Sequence, residues 1–173
     1  MRRMITALAC LIALVGPISA QEDFNKEAPA QIQAGIEAKH PAAYLILAWK
    51  LFQAGDRDGG VFWFYLGQLR YRTHLAARPS LDPTGDPALF GSLFEVIGSR
   101  INQYAFGDVP ALARTIDRVL AWDEAHEDGF TLKDRFAAER ATVRNGLVAL
   151  RADVLSRQDE IRATRRQNGL GNR

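Results

Sequence analysis

The side chains best suited to acid–base or metal chemistry in this sequence are three histidines, His40, His74 and His126, and the carboxylates that stand near them. His126 is followed directly by Glu127 and Asp128, and an imidazole beside two carboxylates could move protons. Consecutive residues project in different directions, however, and neither a nucleophile nor a second histidine accompanies them, so the run reads as an exposed polar helix end. His40 and His74 stand alone, one at a helix start and one within a helix, without a metal-binding spacing. Asp82, Thr84 and Asp86 alternate as the first oxygen ligands of a calcium loop do, but the bidentate Glu that should follow is missing. Asp86 reads instead as a helix N-cap with Pro87 in the first turn. Gly91 and Gly98 lie seven apart on a helix, whereas a cofactor-binding loop needs its glycines clustered. No nucleotide loop, nucleophile elbow, zinc motif or carboxylate pair is present. No catalytic, cofactor-binding or metal-binding residue is therefore assigned, and no cofactor is expected.

These side chains must be positioned by helices, and the chain is organised around residues 42–77. Tyr44, Ala48, Leu51 and Phe52 recur at helical spacing, with Gly55 as a left-handed stop. After a Gly55–Gly60 turn, Val61–Leu66 is apolar on every face and the segment runs to about Ala77 without a breaker, too long for an ordinary strand. The expectation is a helical hairpin buried at the centre of the fold.

Tyr44, Leu47, Ala48, Leu51, Gly55, Gly60, Phe64 and Gly67 fall at the offsets at which a tetratricopeptide or Sel1-like repeat places its aromatic, large, small and turn residues. The hairpin resembles one such repeat, over about a fifth of the chain, with Arg72 where the repeat usually closes with proline. A second copy aligned on Gly107 fails, with Ser99, Arg100 and Gln103 where packing residues belong. A stable solenoid needs about three stacked units, so the expectation is one repeat-like hairpin inside a globular bundle. What the resemblance implies for function is protein or peptide binding.

Met1–Ala20 has Arg2 and Arg3, the apolar run Met4–Val15, and Pro17-Ile18-Ser19-Ala20 before an acidic stretch. This is the pattern of a secretory signal cleaved between Ala20 and Gln21, too short for a comfortable membrane span. Cys10 follows Ala7-Leu8-Ala9 as an acylated cysteine would, but the longer apolar stretch lies after it. Cleavage would leave about 153 residues, enough for one domain, without the only cysteine. It would also remove the two arginines that give the chain its net charge of +2. The balance that remains excludes nothing by pI and points to no nucleic-acid partner. It is unevenly spread: residues 21–130 carry 15 acidic and 10 basic side chains, and residues 131–173 carry 5 and 10. A basic C-terminal helix could lie on an acidic body or reach for an anionic surface; a solvated basic face is the reading preferred here.

In chain order, a polar lead-in and a short helix (Gln21–Lys39, with Ile32 and Ile36 on one face) precede the hairpin. Arg78–Pro87 must leave helix because it holds three prolines and a glycine. A helix over about Pro87–Phe106 carries the stripe Phe90, Leu93, Phe94, Ile97, Ile101 and Tyr104. Another, capped by Asp108 and running to about Ala125, carries Leu112, Ile116, Val119 and Leu120. Thr131 and Asp134 form a capping box for a long last helix, Thr131–Gln167, whose seam of Phe136, Val143, Leu147, Leu150, Val154 and Ile161 is broken by Arg140 and Arg157. Leu147, Leu150, Val154 and Ile161 are the expected partner face. Gly169–Arg173 should fray.

The reading is thus an all-α protein: signal 1–20, one helical domain over 21–168 with five to six helices and a long C-terminal helix, and a tail at 169–173. Its expected role is an exported, periplasmic interaction module, an envelope adaptor or toxin-immunity protein, whose partner is another envelope protein or a peptide. Binding is preferred to catalysis. The alternatives are an envelope hydrolase acting on peptidoglycan, with acid–base residues among Glu95, Asp117, Asp123 and His126, and a membrane-surface structural protein.

Overall fold

A computed structural model describes residues 24–173; the expected signal segment, Cys10 and the Ala20–Gln21 junction lie outside them. The described residues form seven α-helices and a short 3-10 turn, with no strand among them. The helices are α1 (Pro29–Gln33), α2 (Ala42–Gln53), α3 (Arg57–Ala76), α4 (Asp86–Ala105), α5 (Val109–Ala125), α6 (Ala137–Ser156) and α7 (Gln158–Gln167). The fold is an all-α bundle, and none of these helices is long and apolar enough to cross a membrane.

Helix α3 is the axis of the bundle because its stretch Val61–Leu66 is apolar on every side, and such a segment is stable only when wrapped by other helices. It packs against α2, α4, α5 and α6. Gly55 turns the chain with φ +98°, and the Asp56 carboxylate then accepts from Gly59 N–H at 3.0 Å. That cap starts α3 at Arg57, four residues before the sequence reading placed it, so Gly60 lies inside the helix. A methyl group on Gly60 would sit 2.8 Å from Phe52 Cβ, and one on Gly67 would sit 2.9 Å from Tyr44 Cβ. Both glycines are what lets α2 and α3 approach, and the pairing of 60 with 52 and 67 with 44 shows the two helices antiparallel. Phe64 reaches Gly98 on α4, and Trp63 meets Trp122 on α5 edge-on at 5.8 Å between centroids.

The C-terminal third departs from the sequence reading in three ways. The Thr131–Asp134 capping box does not form: Thr131 is buried and accepts from Arg78, and α6 begins only after Phe136. The long last helix is broken at Arg157 (φ −105°, ψ 18°) into α6 and α7, which raises the helix count to seven among the described residues. The tail expected to fray is tied down. Gly169 reverses the chain at φ +71°, Leu170 N–H reaches Arg165 O at 2.8 Å, and Arg173 N–H reaches Gly107 O at 2.7 Å. A polar tail finds these partners because helix ends and turns leave carbonyls unsatisfied.

Candidate functional site

The residues of the repeat-like hairpin are interior except for Gly55, which is exposed at the turn. Tyr44, Leu47, Ala48 and Phe64 are buried, as are Gly60 and Gly67, and Leu51 is half-buried against them. The aromatic block is therefore core, and of its rings only Tyr65 reaches the lining of the cleft described next.

Among the described residues, a surface feature with the geometry of a binding site lies along α3. There α4 and α6 flank α3 without closing over it, which leaves a half-open cleft of about 520 Å³. Tyr65, Gln68, Leu69, Arg72 and Leu75, one face of α3 at three- and four-residue spacing, make the floor. Phe90 of α4 forms one wall, and Val143, Gly146, Leu147 and Leu150 of α6 form the other. The size and the apolar lining with few polar groups are those of ligand clefts. Tyr65 is already engaged, donating its hydroxyl to Asn102 Oδ1 at 2.9 Å, and burial pushes its phenol well above the usual range. Arg72 lies over the rings of Phe90 and Phe94, at 5.2 and 5.8 Å from their centroids.

The expected partner face thus divides. Leu147 and Leu150 line the cleft, half-buried; Val154 is only 1% exposed and serves the core; Ile161 lies beyond the break at Arg157 on α7. A straight heptad seam would have held all four on one stripe, and the break removes that continuity.

His40, His74 and Asp86, far apart in sequence, meet at one end of the bundle, with one ligand-type atom from each inside a 4.8 Å cluster. His40 Nε2 lies 3.2 Å from Asp86 Oδ1, and His74 Nε2 lies 2.7 Å from Asp86 Oδ2. The remaining ring nitrogens identify what this cluster is. Ala42 N–H donates to His40 Nδ1 at 3.1 Å, and Arg78 Nη1 donates to His74 Nδ1 at 2.8 Å. Both Nδ1 atoms are acceptors, so both Nε2 atoms carry hydrogen and donate to Asp86. A metal-bound imidazole has the reverse pattern, a bare ligating nitrogen and an outward N–H given to an acceptor. The donor set does not fit a metal, and no ring nitrogen is left for proton transfer. The cluster is a latch: it joins the start of α2, the end of α3 and the start of α4, and Arg78 extends it to Phe130 O and Thr131. Asp86 is consequently not the N-cap of α4, a place taken by Gly85. Burial holds the His74 imidazole below its usual range; Arg78 adds to this, and the Asp86 hydrogen bond opposes it. Burial alone would raise the Asp86 carboxyl, but the His74 hydrogen bond and the His40 ring outweigh it and hold the group low.

The acid–base candidates are dispersed. Glu95 is exposed on α4, and Asp117 pairs with Arg151 on the surface at 2.7 Å. Asp123, 2% exposed, is the hub of a buried network: its Oδ1 lies 3.3 Å from Arg70 Nε, and its Oδ2 accepts from Arg140 at 2.9 Å and Arg144 at 2.8 Å. Arg70 also donates to the carbonyls of His126 and Glu127, and Lys133 donates to that of Asp123. His126 stacks flat on Trp122 at 3.9 Å, and Asp128 is buried, accepting from the N–H groups of Phe130 and Thr131. Burial raises the Asp128 carboxyl against the pull of Arg70 and these two N–H groups. Of the run expected to be an exposed helix end, His126 and Asp128 are packed inward and only the Glu127 side chain is exposed, because the Arg70 guanidinium draws the carbonyls of His126 and Glu127 toward it. The basic face of α6, read as solvated, is likewise spent on the acids of α5.

Neither cluster has a local signal, since its members come from different helices. Topology alone would have found the latch: α2 starts, α3 ends and α4 starts at one end of an antiparallel array. No family model matches the chain, and no curated protein or solved structure matches it.

Proposed function

We propose that the chain is an exported helical binding module that acts in the cell envelope, and that its partner, another envelope protein or a peptide, docks in the cleft between α4 and α6. The observation that carries this reading is the cleft itself, an apolar trough floored by α3 and walled by Phe90 on one side and Leu147 and Leu150 on the other. A groove of this form suits an amphipathic helix laid along it with its apolar face inward. The scattering of the acid–base candidates supports binding over catalysis, because general acid–base chemistry needs its groups within reach of one substrate. The resemblance of the α2–α3 hairpin to tetratricopeptide and Sel1-like units agrees with an interaction role, as analogy of fold alone. Export rests on the pattern of residues 1–20.

The test uses the full chain with its own N-terminal segment, carrying a photocrosslinking residue at Gly146. A discrete adduct with one envelope protein is expected, absent when the probe is moved to Ser99 on the outer face of α4 and lost in Leu147→Asp. Equal labelling from both positions, or an adduct indifferent to Leu147→Asp, would sink the reading. The purified mature protein should begin at Gln21.

A further inference from the structure

Resting on the reading that the cleft is the binding site, we propose that its occupant is an acidic amphipathic helix, and that Arg72 receives a carboxylate set beside that helix's apolar anchors. Charge selects this occupant. The other arginines near the cleft are spent on the protein itself: Arg70, Arg140 and Arg144 on Asp123, and Arg151 on Asp117. Among the described residues no carboxylate lies within 4 Å of the Arg72 guanidinium, and no acidic residue lines the cleft. Arg72 is held over two aromatic faces, where it is partly shielded from water and a carboxylate meets it more strongly than in bulk solvent. Its planar fork can donate two parallel hydrogen bonds to a carboxylate. Gln68, one turn earlier on the same face, is half-buried, and its amide has no hydrogen-bond partner among the described residues. It stands ready to bond a second polar group of the same ligand.

The shape selects a helix. From Tyr65 to Leu75 the floor runs about 15 Å at the helical rise, the length of roughly three helical turns. Leu69 and Leu75 on the floor and Leu147 and Leu150 on the wall meet apolar side chains spaced i, i+3 or i+4, and i+7 along such a segment.

The probes are three synthetic amphipathic peptides with the same leucine stripe, differing only in a Glu, a Gln or a Lys beside it, titrated by fluorescence anisotropy into the full-length protein. The Glu peptide should bind about three- to tenfold more tightly than the Lys peptide, as partly exposed arginine–carboxylate pairs allow. Arg72→Gln should erase the preference, Arg72→Glu should reverse it, and high salt should shrink it. Arg72 is exposed, so these variants should fold. Binding of all three peptides with equal affinity would overturn the acidic partner and leave the cleft reading standing. Failure of every peptide would overturn both, unless dodecanoate binds in an Arg72-dependent way; that result would make the occupant a small amphiphile and refute the helix.

Discussion

Gly146 offers the most direct check on the cleft, because alanine and leucine at that position should separate stability from binding. The residue is the tenth of the twenty in α6, has no left-handed backbone, and a Cβ added there meets nothing within 4 Å. Glycine in a helix interior costs about 0.8–1.0 kcal/mol relative to alanine, largely through the freedom it adds to the unfolded chain. With no clash to offset the gain, Gly146→Ala should stabilise the protein by about 0.5–1 kcal/mol. For a domain of this size that is a rise of roughly 2–4 °C in Tm per kcal/mol. Gly146→Leu should keep most of this gain and project an apolar side chain over the cleft, so it should melt no lower than the parent while losing the peptide binding described above. Urea titrations followed by circular dichroism, with anisotropy on the same samples, give both quantities. A Gly146→Ala variant destabilised by about 0.5 kcal/mol or more would mean that the α6 wall is packed at this point, contrary to the open space on which the argument depends. A Gly146→Leu variant that binds like the parent would move the binding site elsewhere.

Two further outcomes concern the polar clusters. Asp123→Asn should cost about 3–5 kcal/mol, because it leaves Arg70, itself 2% exposed in its side chain, without its close carboxylate and frees Arg140 and Arg144 as well. Glu124→Gln, which touches the same two α6 arginines from the surface, should change the urea midpoint little, and equal losses in the two variants would refute the hub. Stability should also fall as pH drops below about 6.5: the unfolded chain protonates His74 there, whereas in the native fold burial of the ring, with Arg78 against Nδ1, outweighs the Asp86 hydrogen bond and keeps the imidazole neutral until lower pH. The slope from this one group is at most about 1.4 kcal/mol per pH unit. His74→Gln should flatten the dependence of the urea midpoint on pH between 7.5 and 5.5, and an unchanged slope would remove His74 as its source.

Periodicity made the helices legible because each buries a stripe that repeats every three or four residues, and this information is local. The stripe of Phe90, Phe94, Ile97 and Ile101 marked α4, and the all-round apolar run Val61–Leu66 marked the helix that others must surround. The turn at Gly55 and the stop at Gly107 were legible for the same reason: their causes lie within a few residues of them. The break at Arg157 was not, because no proline or glycine stands there, and the turn is held by pairs from Arg157 to Asp153 and Glu160 that a regular helix could also have made.

The class of fold and the central hairpin could be read from the chain alone, because both follow from side-chain size and spacing, whereas the close-packing role of Gly60, read as part of the turn, could not. Which polar groups meet is settled by how the helices pack in space. Asp86 reads as a cap and is a latch for two histidines; Asp123 reads as an acid–base candidate and is the hub of three arginines; Leu147 and Leu150 read as part of a long seam and wall a cleft. Each of these depends on which ends of antiparallel helices come together and on which carboxylate is desolvated beside which guanidinium. An ionic or hydrogen-bonded contact forms over a few ångströms in space and leaves no period in the sequence.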